Sequence, residues 1–259
     1  MSPPPDKGAG ASLLSGSVIR YLLEARRRLL WWLATFLVIF FALLPIQNRV
    51  FDFVARPLLR HLPAGSSMIV TGVAAPFMTP LKLVLVVALF ASIPILLYHV
   101  WRFVSPALYK SERRMFFPLL IISVVLFYAG VAFAYFVLFP VAFAFLLAVA
   151  PAGVKVMTDI NAYLDFVLTI FFAFGVAFEV PVAIVLAVWA GFTTPAKLGK
   201  WRPYAFVGAF VVGMILSPPE VISMIMLSLP IYALYEGGMV MARILVPPRR
   251  AKTQPQDLS

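Results

Sequence analysis

Ten acidic side chains are spread along 259 residues, and four of them stand where a carboxylate could do chemistry. Glu24 lies in YLLEARRRLL, directly ahead of a long apolar run, and Glu112 lies in the short basic loop ALYKSERR. Two carboxylates in a basic rim could each accept a guanidinium through paired, charge-assisted hydrogen bonds. The plainer alternative is surface charge: Glu24 favoured near a helix start, Glu112 paired with Lys110 or Arg113. Glu179 sits inside the apolar stretch FGVAFEVPVAIVL. An ionised carboxylate in hydrocarbon is costly, so Glu179 is expected to be protonated, paired or beside water. Partner contact or a transport path is its default role, and a neutral carboxyl bonded within the bundle is the alternative. Glu220, in SPPE, follows two prolines and suits the first turn of a helix, with or without a further role.

No catalytic constellation accompanies these acids. His61 and His99 are isolated, without metal-ligand spacing, and the sequence holds no GxSxG elbow and no P-loop. The absence of cysteine excludes disulfides, thiolate metal sites and a thiol nucleophile. The chain is therefore not expected to be an enzyme, and no cofactor or metal is expected.

The elements that must carry these residues are membrane spans. Hydrophobic residues make up 63% of the chain and charged residues only 12%, about half the charged share of a soluble domain. Apolar runs of roughly 18 residues or more cross a hydrocarbon core. The expected spans are Leu29 to Ile46, Phe77 to Phe103, Met115 to Ala150, Ala162 to Trp189, Tyr204 to Leu216 and Val221 to Val240, the last two being short. The third is too long for one straight crossing, so tilt, a kink at Pro140 or an extension beyond the bilayer is expected. The fourth is interrupted at Glu179 and Pro181. Between the first and second spans, Val50 to Leu59 reads as a short interfacial helix. The opening residues, rich in Pro, Gly and Ser, read as a disordered tail rather than a cleaved leader.

A formal charge of +11 in a soluble chain would raise the question of nucleic acid. Here the basic residues cluster between spans, so no nucleic-acid partner is expected and the bilayer is the partner instead. Six spans put both termini on one side. The N-terminal tail, the second-to-third loop, the fourth-to-fifth loop and the C-terminal tail together hold 16 of the 21 Lys and Arg. The positive-inside rule then places both termini in the cytoplasm. The fold expected is an all-α membrane protein of six transmembrane helices.

The segments FVSPALYKSERR, FGVAFEVPVAIVL and RPYAFVGAFVVGMILSPPEVISMIMLSLPIYALYE closely resemble the TatC family. So does ARPLLRHLPAGSSMIVTGVAAPF, and the similarity runs from about Arg20 to Arg243. TatC is the large membrane subunit of the twin-arginine protein translocase. The resemblance implies a receptor for twin-arginine signal peptides in a bacterial inner membrane. It implies work with TatB-like and TatA-like single-span partners, in multiple copies per complex, to export folded proteins on the proton motive force.

Carried over by motif, Glu24, Arg26, Phe103 and Glu112 are implied to form the signal-binding site. Glu179, Glu220, Pro57 and Met224 are implied to lie at partner contacts or on the transport path. Three positions depart from the common pattern: Tyr21 where histidine is frequent, Glu220 where aspartate is, and Met224 where a polar residue is. On this reading the chain divides into a disordered tail (1–19), a six-helix domain (20–243) and a basic polar tail (244–259). Two rivals remain. A small-solute transporter would use Glu179 as an ion site near a helix break, but such folds show paired breaks and inverted repeats, and one break and no repeat are seen. A structural anchor would tolerate the loss of both cytoplasmic glutamates.

Overall fold

The computed structural model describes residues 7–59, 68–104, 116–148, 157–217 and 221–246. Its described residues are helical apart from turns and one isolated parallel bridge between Ile69 and Asp159. Among the described residues, five helical segments are long and apolar enough to cross a membrane, and a sixth apolar helix is shorter. The all-α membrane expectation is met at that level.

α1 (Lys7–Leu43) starts inside the stretch read as a disordered tail. Extending an existing helix costs far less than nucleating one, so the apolar span carries its N-terminal flank with it. Through one 3₁₀ turn (Leu44–Ile46) the chain enters α2 (Gln47–Leu59), three residues earlier than the interfacial helix expected from sequence. α2 buries Val54 and Ala55 and exposes Arg49 and Arg56. α3 (Ala75–Val104) tolerates Pro80 and Pro94 in its interior.

The third span is α4 (Phe116–Phe133), a π turn (Ala134–Leu138) and α5 (Phe139–Ala148). The irregularity falls just before Pro140. Proline has no N–H for the carbonyl four residues back, and a widened turn absorbs the mismatch. The fourth span is α6 (Ile160–Ala177) and α7 (Val180–Trp189), broken at Phe178 and Glu179, where Pro181 opens the new helix. α8 (Pro195–Lys200) is a single short helix capped by Thr194, whose hydroxyl accepts from the Lys197 N–H at 3.3 Å. α9 (Arg202–Leu216) has 15 residues, about 22 Å at 1.5 Å per residue, well short of the ~30 Å hydrocarbon core.

The last helix corrects an expectation. α10 (Val221–Leu245) has 25 residues and is not short. It passes the expected end at Val240 by five residues. Glu236 accepts a hydrogen bond from Arg202 at 2.7 Å, and Gly238 lies so close to Pro181 that a Cβ would come within 2.7 Å of its Cα.

The chain forms two compact units, Met1–Val124 with Phe143–Leu168, and Val125–Ala142 with Thr169–Ser259. In the first, α1 packs on α3. Trp32 Nε1 donates to Ser92 Oγ at 3.0 Å, and the Ser92 hydroxyl donates in turn to the Leu89 carbonyl at 2.7 Å. Below α2, the Tyr163 hydroxyl donates to the Val54 carbonyl at 2.8 Å in a buried bond. In the second unit, α9 and α10 meet at Gly213, where a Cβ would stand 2.0 Å from Ser228 Oγ. Serines and a threonine (Thr79, Ser92, Ser123, Ser223, Ser228) are buried while Phe41, Phe136 and Phe172 are exposed. That inversion suits a lipid solvent, in which small and polar residues hold helices together and large apolar ones face outward.

Candidate functional site

Glu24 lies on α1 and forms an ion pair with Arg28, one turn on. The Glu24 side chain is 53% exposed, whereas that of Arg28 is only 15% exposed. Arg28 is anchored because its other guanidinium nitrogen, Nη1, donates to the His99 carbonyl at 3.3 Å near the end of α3. His99 lies five residues before the end of α3, so its carbonyl keeps its helical partner and takes Arg28 on its second lone pair. One guanidinium thus links a carbonyl of α3 to an exposed carboxylate of α1. Glu24 is bound to a guanidinium while more than half its side chain remains accessible.

Arg26 does not share this face. Two residues along a helix turn the side chain by about 200°, and Arg26 and Arg27 are both exposed. Phe103 falls in the last turn of α3, one turn beyond His99. Arg102, beside it, donates to the Tyr98 hydroxyl at 2.9 Å. Glu112 lies outside the described residues, as do Glu220 and His61. The pairing of Glu24 with Glu112 is therefore carried only by the sequence.

In the second unit, Glu179 closes the break between α6 and α7. Its N–H donates to the Val176 carbonyl at 3.0 Å, and its carbonyl receives the Ala183 N–H at 2.9 Å. Its Oε1 is buried. The adjoining Phe178 and Pro181 line an apolar groove of about 600 Å³ whose far wall includes Pro230, Ala233 and Gly237 of α10. Met224 is half-buried in the first turn of α10, and its carbonyl accepts from the Ser228 hydroxyl at 2.6 Å. Pro57 lies in the last turn of α2.

Three clusters escaped the reading of the sequence. Asp159 caps the start of α6 through Oδ1, which accepts from the Asn161 and Ala162 N–H groups at 2.9 and 3.1 Å. Its Oδ2 accepts from the Thr71 hydroxyl at 2.7 Å and the Thr71 N–H at 3.2 Å. The Thr71 hydroxyl is the main cause that holds this carboxyl below the ordinary aspartate range, the Ala162 N–H the next. Nearby, Thr79 bonds Asn161 and Lys82 pairs with Asp165, which ties α3 to α6. At α9 and α10, Arg202 and the Tyr232 hydroxyl (2.8 Å) converge on Glu236. The Thr-Asp-Ile step before a helix signals the Asp159 cap, and the four-residue spacing signals Glu24 with Arg28. No local signal reveals Thr71 or Arg202 as partners. Among the described residues no group of His, Asp or Glu gathers as metal ligands do.

Residues 20–230 match the family described as Sec-independent protein translocase protein (TatC). The chain is 54% identical over 229 residues to the Sec-independent protein translocase protein TatC of Escherichia coli strain K12, covering 88% of this chain and 89% of that protein. It is 48% identical over 233 residues to the corresponding protein of Haemophilus influenzae Rd, covering 90% and 91%. A crystal structure described as the twin arginine translocase receptor TatC superposes with a TM-score of 0.78 at 34% identity, covering 88% of this chain and all of that one.

Proposed function

This chain belongs to the TatC family of Sec-independent protein translocase proteins, and from that premise we propose that it is the subunit that receives twin-arginine signal peptides during export of folded proteins. The observation that carries the reading is Glu24, an exposed carboxylate already holding one guanidinium. A signal arginine presents the same group, and its planar fork suits a carboxylate better than lysine does. Glu112 and Phe103 complete the site, Glu112 taking the second arginine. Arg26, on the far side of α1, enters only as part of the family motif.

The same reading extends to topology and partners. Six crossings place both termini in the cytoplasm of a bacterial inner membrane, supported by the bias of Lys and Arg in the loops. TatB-like and TatA-like single-span subunits join the chain, in several copies per complex. Glu179, Glu220, Pro57 and Met224 are the proposed partner contacts or path residues. Transport is driven by the proton motive force.

The test is crosslinking of a twin-arginine peptide to the full chain in membranes. Replacing both Glu24 and Glu112 by Ala should abolish the crosslink. Binding unchanged in that double variant would discard the site assignment.

A further inference from the structure

α8 and α9 meet at a basic corner. Lys197, Lys200 and Arg202 fall within six residues, and all three are exposed. The backbone that carries them is fixed. Thr194 caps α8, Leu198 is buried, and the Leu198 carbonyl accepts from the Tyr235 hydroxyl of α10 at 2.8 Å. Arg202 is held by Glu236, whose other carboxylate oxygen accepts from Tyr232. Glu236 is the one acidic residue among those described in 190–246, and each of its oxygens already has a donor. Among the described residues, Lys197 and Lys200 have no acidic partner. The corner therefore keeps an excess of positive charge.

Apolar surface adjoins it. Trp201 and Tyr204 are 64% and 77% exposed, and such amphipathic rings favour the headgroup level of a bilayer. From Tyr204 an exposed stripe continues along α9 through Val207, Val211 and Met214. Their spacing of three, four and three residues puts them on one face. A soluble anion would use the cations and leave the stripe idle, whereas a lipid uses both.

We propose that this corner binds an anionic phospholipid, its phosphate held by Lys197, Lys200 and Arg202 and an acyl chain laid along the α9 stripe. The proposal does not depend on the signal-peptide reading. A guanidinium has five N–H donors, and the Arg202 side chain is 47% exposed, so it takes a phosphate without releasing Glu236. Phosphatidylcholine carries a cation of its own beside the phosphate and is repelled by the lysines; phosphatidylglycerol carries none. The bound lipid fixes the start of α9, a helix shorter than the hydrocarbon core, at the headgroup layer.

The test places the full chain in phosphatidylcholine nanodiscs with a trace of a photoactivatable lipid. The probe is phosphatidylglycerol or phosphatidylcholine with a diazirine midway along one acyl chain, and mass spectrometry maps the labelled residues. The phosphatidylglycerol probe should label 204–214 several-fold more than the phosphatidylcholine probe. Both probes should label the exposed α1 residues Val38 and Phe41 equally. Lys197→Gln combined with Lys200→Gln should remove most of the preference at 204–214, because each lysine near an anionic surface contributes a factor of about five. Arg202 stays in place because it also holds Glu236. The comparison of two lipids on the unmodified chain is independent of whether the variant folds. Equal labelling of 204–214 by the two probes, or a preference that survives in the folded double variant, overturns the proposal. A preference just as strong at Val38 and Phe41 is attraction to the whole chain and overturns the site. Loss of the preference in inorganic phosphate, but not in sodium chloride of equal ionic strength, assigns the cations to a soluble phosphate and overturns the lipid.

Discussion

Asp159 shows what one side chain can hold. It caps α6 with one oxygen and grips Thr71 with the other, while the Ile69 N–H donates to the Thr158 carbonyl at 3.0 Å. Its carboxyl is held below the ordinary value, chiefly by the Thr71 hydroxyl. A depressed folded-state value adds stability that is present above the unfolded value, near pH ~4. That stability is lost as pH falls through the folded value. Hydrogen exchange at the Ile69 and Ile160 amides should therefore accelerate below about pH 4. In Asp159→Asn exchange should be faster at neutral pH, with the acid-dependent step gone; an unchanged acid step would assign it to another group. Glu179 is the second residue-scale case. Replacing it by Leu keeps an apolar span but removes the carboxylate. Co-purification of single-span partners should fall several-fold while peptide crosslinking at Glu24 persists, and normal recruitment would end the proposed partner role.

Among the elements, α9 depends most on its neighbour. It is too short to span a full hydrocarbon core alone, and its contact with α10 requires Gly213. A Cβ there meets Ser228 Oγ at 2.0 Å and the Met224 carbonyl at 2.9 Å. Gly213→Leu forces the helices apart, at a cost of about 1–3 kcal/mol for overpacking. The melting temperature of the purified protein should drop, whereas Gly208→Ala, at a position with nothing within 4 Å of a Cβ, should leave it nearly unchanged. Helix propensity alone favours both changes, so a Gly213→Leu variant that melts no lower than the parent would remove the close-approach argument. The breaks in the third and fourth spans follow a simpler rule. Both adjoin prolines visible in the sequence, Pro140 and Pro181, and both fall within a turn of them.

Topology is a property of the whole molecule, and chemical labelling reads it directly. The chain contains no cysteine, so single cysteines report without background. A cysteine at Ser2 and one at Ser259 should both be blocked only by reagents that reach the cytoplasm, and one at Ser66 only from the opposite side. Opposite sidedness of the two ends would remove one crossing and the six-span topology with it.

Spans, helix breaks and family were legible because each is written locally. Apolar length sets a crossing, proline removes a donor, and a motif such as FGVAFEVPVAIVL keeps its identity wherever it folds. Glu24 was legible as a candidate for the same reason, and its partner Arg28 follows from helical spacing alone. The rest was decided by chain segments far apart in sequence. Asp159 meets Thr71 across 88 residues, Tyr163 meets Val54 across 109, and Glu236 meets Arg202 across 34. The hydrophobic pattern says which helices must lie in lipid, but in lipid every apolar face is equally content. Which faces meet is set by small side chains and hydrogen bonds between helices, and these exist only once the helices have packed.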